Sequence, residues 1–500
     1  MSETLAPHAE SPPTSGTSTP QALALRAVLV VAAVKSAVNL ALSNRYGWHW
    51  DELYYRVSGQ HLQLGYVDFP PVTPVLARLS QALFGGSLVG LRSFSIAAGA
   101  GVVVLSALLA RELGGGHRAQ VLAAIVVASC PIVLGANSMF QTVPFDQLAW
   151  MGVVVLAARL LRTGDTRLWL ALGLASGAAL MTKYTAVPFL IAMLLGFLAT
   201  DRGRAVLRTR RSVLAGALAL AIVAPNLWWQ VRHGWPSIGF YSHNNASVRE
   251  ETTRAAFVGE LALIAGPVGA VLAFLGWRRL WRDDTFRPLA IAAVAVVAIF
   301  FVLGGKSYYP APIAPLLLTA GAVHVAASTR ERLPRRTAVA AVLAAIVISP
   351  VVLPVLPQQT MIDVGLADAR KDYAAQIGWP ELAADVEAAY RSLPAAEQAG
   401  AGILTADDAA AGAVDLFGHD LPEAASTDRL YQFWPPSRPD ATIVVTIGLT
   451  GDELGAACSS FVILSRIDNP AGRANEEHGR PIGICRTSGT LESLWSDLVR

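Results

Sequence analysis

Trp48 to Pro71 reads WHWDELYYRVSGQHLQLGYVDFPP and directly follows an apolar stretch, 21–42, long enough to cross a bilayer. Two carboxylates, Asp51 and Glu52, thus stand side by side among aromatic residues where the chain leaves the membrane. An ionised side chain at bilayer depth costs about 2.5–3.5 kcal/mol or more, so such groups face a partner or a cavity. The stretch therefore poses a membrane fold and a polar site together.

The rest of the chain supports the membrane half of that reading. Of its 500 residues 53% are hydrophobic and 15% charged, with a mean hydropathy of +0.46, where a soluble domain carries about 25% charged residues. Residues 1–20 are rich in Pro, Ser and Thr and are expected to form a disordered cytoplasmic tail. They have neither a basic start nor a small-residue cleavage site, so the first apolar segment is expected to remain as a helix. Up to Pro357 there are 29 Lys and Arg against 15 Asp and Glu; from Gln358 onward there are 10 against 21. The expected division is a transmembrane domain over 21–357 and an acidic domain over 358–500.

Eleven apolar segments are expected to be transmembrane helices, near 21–42, 86–110, 118–135, 144–161, 167–181, 185–200, 212–230, 256–276, 287–303, 308–328 and 337–356. Every second loop is basic: those loops hold 17 Lys and Arg, and the alternate ones hold eight over a greater length. The positive-inside rule then places the amino terminus in the cytoplasm and, with eleven crossings, residues 358–500 outside. That outer part combines a helical pattern, PELAADVEAAYRSL, with the apolar runs ATIVVTIG and SSFVILSRI, as expected of a small α/β domain.

The same topology puts further charges on the outer face. Asp146 opens the fourth apolar segment, Lys183 lies between the fifth and sixth, and Lys306 between the ninth and tenth. Carboxylates and amines gathered at one face suit chemistry on an anionic lipid headgroup. A transport path would distribute them through both leaflets, and the absence of a GxxxxGK[ST] motif argues against an ATP-driven pump.

DELYYRVSGQHLQLGYVDFPPVTPVLARL, MTKYTAVPFLI and GGKSYYPAPIAPLLL resemble motifs of the GT-C membrane glycosyltransferases of the family 39 and 83 type, which include protein O-mannosyltransferases and aminoarabinose transferases. The tail, with GWPELAADVEAAYRSLP and NPAGRANEEHGRPIGIC, is similar to that of actinobacterial members. The resemblance implies a transferase that moves a sugar from a polyprenyl-phosphate donor to a glycolipid or polysaccharide acceptor, with a protein acceptor as the alternative. It implies Asp51 as base and Asp146 as the residue orienting acceptor or headgroup. Lys183 and Lys306 would receive the leaving phosphate. Glu52, Tyr54, Tyr55, Asp68, Tyr184 and Tyr308 would bind substrate, although Tyr54 and Tyr55 also suit interface anchors. Phe69 stands where many relatives have His, so no imidazole role is assigned there.

A lipid or polysaccharide flippase is the competing class. A divalent-cation requirement stays open: His233 and His243 lie in the outer loop NLWWQVRHGWPSIGFYSHNNASVREE, but their spacing fits no compact ligand motif, and closure over the donor is the role expected of that loop. Cys458 and Cys485 are either a disulfide or two buried thiols, and Cys130 is a helix-packing residue.

Overall fold

The computed structural model describes residues 21–251 and 253–499; the expected tail, 1–20, lies outside the described residues. The chain opens with α1 (Leu25–Leu42), the short loop helices α2 (Trp50–Gln60) and α3 (Val72–Phe84), and α4 (Leu88–Glu112). Then follow α5 (His117–Ala128), α6 (Pro131–Ala136), α7 (Thr142–Thr163), α8 (Leu168–Leu180), α9 (Ala186–Leu198) and α10 (Asp201–Leu207). The set closes with α11 (Arg210–Arg232), α12 (Pro236–Glu251), α13 (Arg254–Arg282), α14 (Arg287–Leu303), α15 (Ala314–Ala326) and α16 (Leu333–Val352).

Each expected apolar segment is helical, but spanning length is rarer than expected. Among the described residues six helices are long and apolar enough to cross a membrane, or seven if α9 and α10, bent by 108° at their junction, form one span. The other apolar helices are shorter for local reasons. The expected 118–135 segment breaks at Cys130 because the residue before Pro131 is driven out of helical geometry. Residues 308–328 begin instead as a 3-10 turn, Ala311–Ile313, between Pro310 and Pro315, and only then become α15.

Packing within the bundle relies on small residues. A Cβ on Gly276 of α13 would meet the Leu317 carbonyl at 1.9 Å, and one on Gly321 of α15 would meet that of Leu272 at 2.2 Å. The two backbones therefore touch, as small-residue helix pairs do in lipid. Outward faces stay apolar, Val347 of α16 being 80% exposed, which suits a hydrocarbon surrounding.

Past α16 the chain runs through the short helices α17 (Gln358–Asp363), α18 (Leu366–Ala369) and α19 (Lys371–Ala374) to α20 (Trp379–Arg391), α21 (Ala395–Gln398) and α22 (Asp408–Phe417). These accompany a five-stranded sheet of β1 (Gly402–Thr405), β2 (Ala425–Ser426), β3 (Ile443–Ile447), β4 (Cys458–Arg466) and β5 (Pro481–Thr487) in the order β2-β1-β3-β5-β4. β1 is parallel to both β2 and β3, with Ile403 opposite Val445; β5 is antiparallel to β3 and β4. A disulfide joins Cys458 of β4 to Cys485 of β5, and Cys130 is free and buried.

The sheet domain shares one core with the membrane part. Leu53, Tyr54 and Val57 of α2, with Tyr66 and Phe69, pack in the cluster that holds Trp379, Leu382, Ala410, Val445 and Ile447. Composition changes near residue 357, but the hydrophobic core continues across that boundary.

Candidate active site

α2 begins with a capping box: the His49 side chain accepts from the Asp51 amide, while Glu52 receives the His49 amide. That cap sends the two neighbouring carboxylates in different directions. Glu52 turns inward and is wholly buried. Arg92 of α4 grips it through two contacts of 2.7 Å, and the Phe140 and His49 amides complete its shell at 2.7 and 2.8 Å. Arg92 also donates to the carbonyls of Ser43 and Gly47 and to Gln376. Glu52, expected to bind substrate, is thus held among four chain donors and ties the first loop to α4, the α6–α7 turn and the sheet domain.

Asp51 remains partly open, its side chain 27% exposed. It faces Arg429, whose guanidinium lies 3.4 Å from Oδ1, and His49 at 3.9 Å. Arg429 also approaches Asp68 at 3.9 Å and Asp408, at the start of α22, at 3.2 Å; it lies over the Tyr54 ring, 5.1 Å from its centre. The Tyr54 hydroxyl donates to Asp68 at 3.1 Å. Burial pushes the Asp68 carboxyl up to about 6, against the opposing pull of Arg429. Phe69 packs its ring against Tyr54, Tyr55 and Tyr66 at 5.0–5.4 Å between centres, so the side chain in the His position is an apolar hub.

The cationic half comes from two later connections. Lys183, between α8 and α9, is buried, with its ammonium 5.3 and 5.1 Å from the ring centres of Tyr308 and Tyr309. Burial lowers it to about 8, while Asp146, Asp51 and Asp68 attract its charge and Lys306 repels it. Asp146 lies in the first turns of α7; Thr185 donates to its Oδ2 at 2.7 Å, and Thr182 and Trp150 lie beside the same carboxyl. Tyr55 lies near Asp51, Asp68 and Tyr308.

Asp51, Tyr54, Tyr55, Asp68, Asp146, Lys183, Lys306 and Tyr308 therefore fall within one electrostatic neighbourhood. Tyr184 lies at the edge of this neighbourhood, edge-on to Tyr241 at 6.1 Å, and its hydroxyl pairs with Asn226 and Gln230 of α11. α12 covers the site, with Tyr241 donating to the Asp68 carbonyl at 2.9 Å and Asn244 to the Tyr309 hydroxyl at 3.1 Å. His233 stacks on Trp229 and bonds its carbonyl. Among the described residues no three His, Cys, Asp or Glu side chains are grouped to hold a metal.

Arg429, Asp408, Tyr241 and Tyr309 join this neighbourhood without having been foreseen. Arg429 is 378 residues beyond Asp51 in the chain and sits in a short 3-10 turn with φ at +44°, so no sequence spacing relates the two. Tyr309 alone had a signal, as the neighbour of Tyr308 in GGKSYYPAP.

The crystal structure of ArnT from Cupriavidus metallidurans in the apo state superposes with a TM-score of 0.58 over 94% of this chain and 98% of that one, at 16% identity. The form bound to undecaprenyl phosphate gives 0.56. The fold is that of the GT-C membrane glycosyltransferases. The arabinofuranosyltransferase AftD from Mycobacteria aligns at 0.52 over 95% of this chain and 40% of its own, at 14% identity. Residues 68–229 match the family described as dolichyl-phosphate-mannose-protein mannosyltransferase. Two curated relatives, both undecaprenyl phosphate-alpha-4-amino-4-deoxy-L-arabinose arabinosyl transferases, are similar in part. One, from Pseudomonas aeruginosa, is 31% identical over 28% of this chain; the other, from Pseudomonas paraeruginosa, is 28% identical over 55%. The chain spans 29% of the length of the first and 55% of the second.

Proposed function

We propose that this chain is a membrane glycosyltransferase that moves a sugar from a polyprenyl-phosphate donor to a glycolipid or cell-envelope polysaccharide on the outer face. The observation that carries this reading is the buried Lys183, seated against the Tyr308 and Tyr309 rings, in one charge neighbourhood with Asp146, Asp51, Asp68 and Lys306. A polyprenyl-phosphate sugar needs a cation for its phosphate and a carboxylate for the incoming hydroxyl. The fold shared with ArnT and AftD, and the partial similarity to arabinosyl transferases, support the same class.

In this reading Asp51 takes the proton of the acceptor hydroxyl as its oxygen bonds to the anomeric carbon. The bond from that carbon to the phosphate oxygen breaks with inversion, and its electron pair leaves on the lipid phosphate. Lys183 and Lys306 stabilise the charge that grows there, in a site screened from water by α12. Asp146, fixed by Thr185, orients the acceptor or headgroup. Tyr54, Tyr55, Asp68 and Tyr308 shape the sugar pocket, while Glu52 and Tyr184 hold its frame. The molecule belongs within the family 39 and 83 type.

The membrane path has eleven crossings, the shorter helices completed by their flanking turns, with the amino terminus in the cytoplasm and residues 358–500 outside. Basic alternate loops support that orientation, as does the disulfide in the sheet domain, a bond favoured in oxidising compartments. A protein acceptor is the second reading, favoured by the family description matched over 68–229. The test is reconstitution of the full chain with a panel of polyprenyl-phosphate sugars and envelope extract. Consumption of one donor with label appearing in a glycolipid or polysaccharide supports the proposal; consumption of none refutes it.

A further inference from the structure

A second concave site lies in the sheet domain. β2 and β3 flank β1 on opposite sides and both run parallel to it, so the order of the strands reverses at β1. In open α/β sheets ligands settle in the crevice at the carboxyl ends of the strands where the order switches. The segments leaving those three ends, 406–409, 428–429 and 448–450, line a cavity of about 920 Å³. Trp50 and Trp379 form part of its wall, and Arg429 joins it to Asp51.

Its chemistry is selective. Six carboxyl side chains and three guanidiniums line it. Two of those guanidiniums are answered by the chain's own acids: Arg480 by Asp407 and Glu477 at 3.3 and 3.2 Å, Arg429 by Asp51 and Asp408. The opening turn of α22, where a phosphate would otherwise dock, is already capped by Asp407, which receives the Ala410 amide at 2.8 Å. Among the described residues Glu477, 6% exposed, has no hydrogen-bond donor at its Oε2, and its carboxyl lies close to that of Asp407. Burial pushes the carboxyls of Asp408 and Glu477 up, against the pull of Arg429 on the first and Arg480 on the second, so the cavity sets guanidinium donors beside carboxyl acceptors.

Donors and acceptors in alternation, indole walls and an excess of acid match a hydroxyl-rich, non-anionic saccharide. We infer that the crevice at the carboxyl ends of β1, β2 and β3 binds the neutral or amine-bearing saccharide part of the acceptor, next to Asp51. This deepens the transferase reading and rests on it for the word acceptor.

Calorimetric titration of the solubilised full chain with cellobiose, glucosamine and glucose 6-phosphate tests the cavity directly. Cellobiose and glucosamine bind in the millimolar range and glucose 6-phosphate does not. Glu476→Trp and Arg466→Trp fill the mouth from two exposed positions without touching the core. Each weakens sugar binding about tenfold, a loss of about 1.4 kcal/mol. The inference is overturned if neither uncharged nor amino sugar binds, if the phosphate ester binds best, or if both tryptophan variants bind like the parent. Sugar binding by a chain that consumes no polyprenyl-phosphate donor upholds the cavity and sinks only the transferase reading. Transfer whose acceptor KM is unmoved by both variants sinks only the cavity.

Discussion

Arg429 of the sheet domain and Asp51 of the first loop face each other at 3.4 Å, across 378 residues of chain. The same guanidinium serves Asp68 and the buried Asp408, so one side chain links the sheet domain to the candidate base. Arg429→Ala is expected to lower turnover by about tenfold or more, because Asp51 loses its positioning partner. It also leaves Asp408 buried without its cation. The guanidinium is 28% exposed, so the stability cost is about 2 kcal/mol, below that of a fully buried pair. Thermal unfolding of Arg429→Ala against Arg429→Ala/Asp408→Asn checks this: the added Asn restores stability but not turnover.

Asp51→Asn keeps the size of the side chain and removes the proposed base. Turnover is expected to fall by about 10²- to 10⁴-fold while donor binding is retained. Single-turnover assays beside a donor-lipid binding assay separate the two. Flux or turnover within a few-fold of the parent would remove Asp51 from the mechanism.

Glu52→Gln is expected to behave differently although it changes the adjacent residue. Glu52 and Arg92 are both almost fully buried, and breaking such a pair costs about 3–5 kcal/mol. The expected outcome is a large fall in thermal stability and yield, with the protein that does fold keeping a near-parental donor KM. A stable Glu52→Gln with lost donor binding would instead give Glu52 a place in the sugar pocket.

Asp68 at about 6 and Lys183 at about 8 set the pH response. In the proposed reaction Asp68 works ionised and Lys183 charged, so the rate should fall below about pH 6 and above about pH 8. Asp68→Asn removes the acid limb, and Lys183→Arg moves the alkaline limb upward because guanidinium keeps its proton. Stability runs the other way at each group. Asp68, raised above its unfolded value, stabilises the fold below about pH 4, and that contribution is gone by about pH 6. Lys183, lowered in the fold, contributes most above its unfolded value near 10.5, and that contribution is lost as pH falls through about 8. Rate and unfolding profiles measured on one preparation test both signs.

Much of the molecule is legible in its residues taken singly. Apolar length gives the helices, and the runs ATIVVTIG and SSFVILSRI give β3 and β4, because these depend on neighbours a few residues away; the breaks at Pro131 and at Pro310–Pro315 were equally local but were not foreseen. The acidic pair, Asp146, Lys183 and Lys306 stand out since charge beside an apolar helix end is costly wherever it occurs.

What the sequence alone left undecided was direction and partnership. Asp51 and Glu52 are adjacent, chemically alike letters; only the cap of α2 and the position of Arg92 turn one inward and leave the other open. The disulfide between Cys458 and Cys485 depends on β4 and β5 becoming neighbours. Arg429 reaches Asp51 only because α2 and α22 share a core. Apart from the local cap, these contacts join residues 27 to 378 positions apart, fixed by the packing of whole elements and therefore absent from any local pattern.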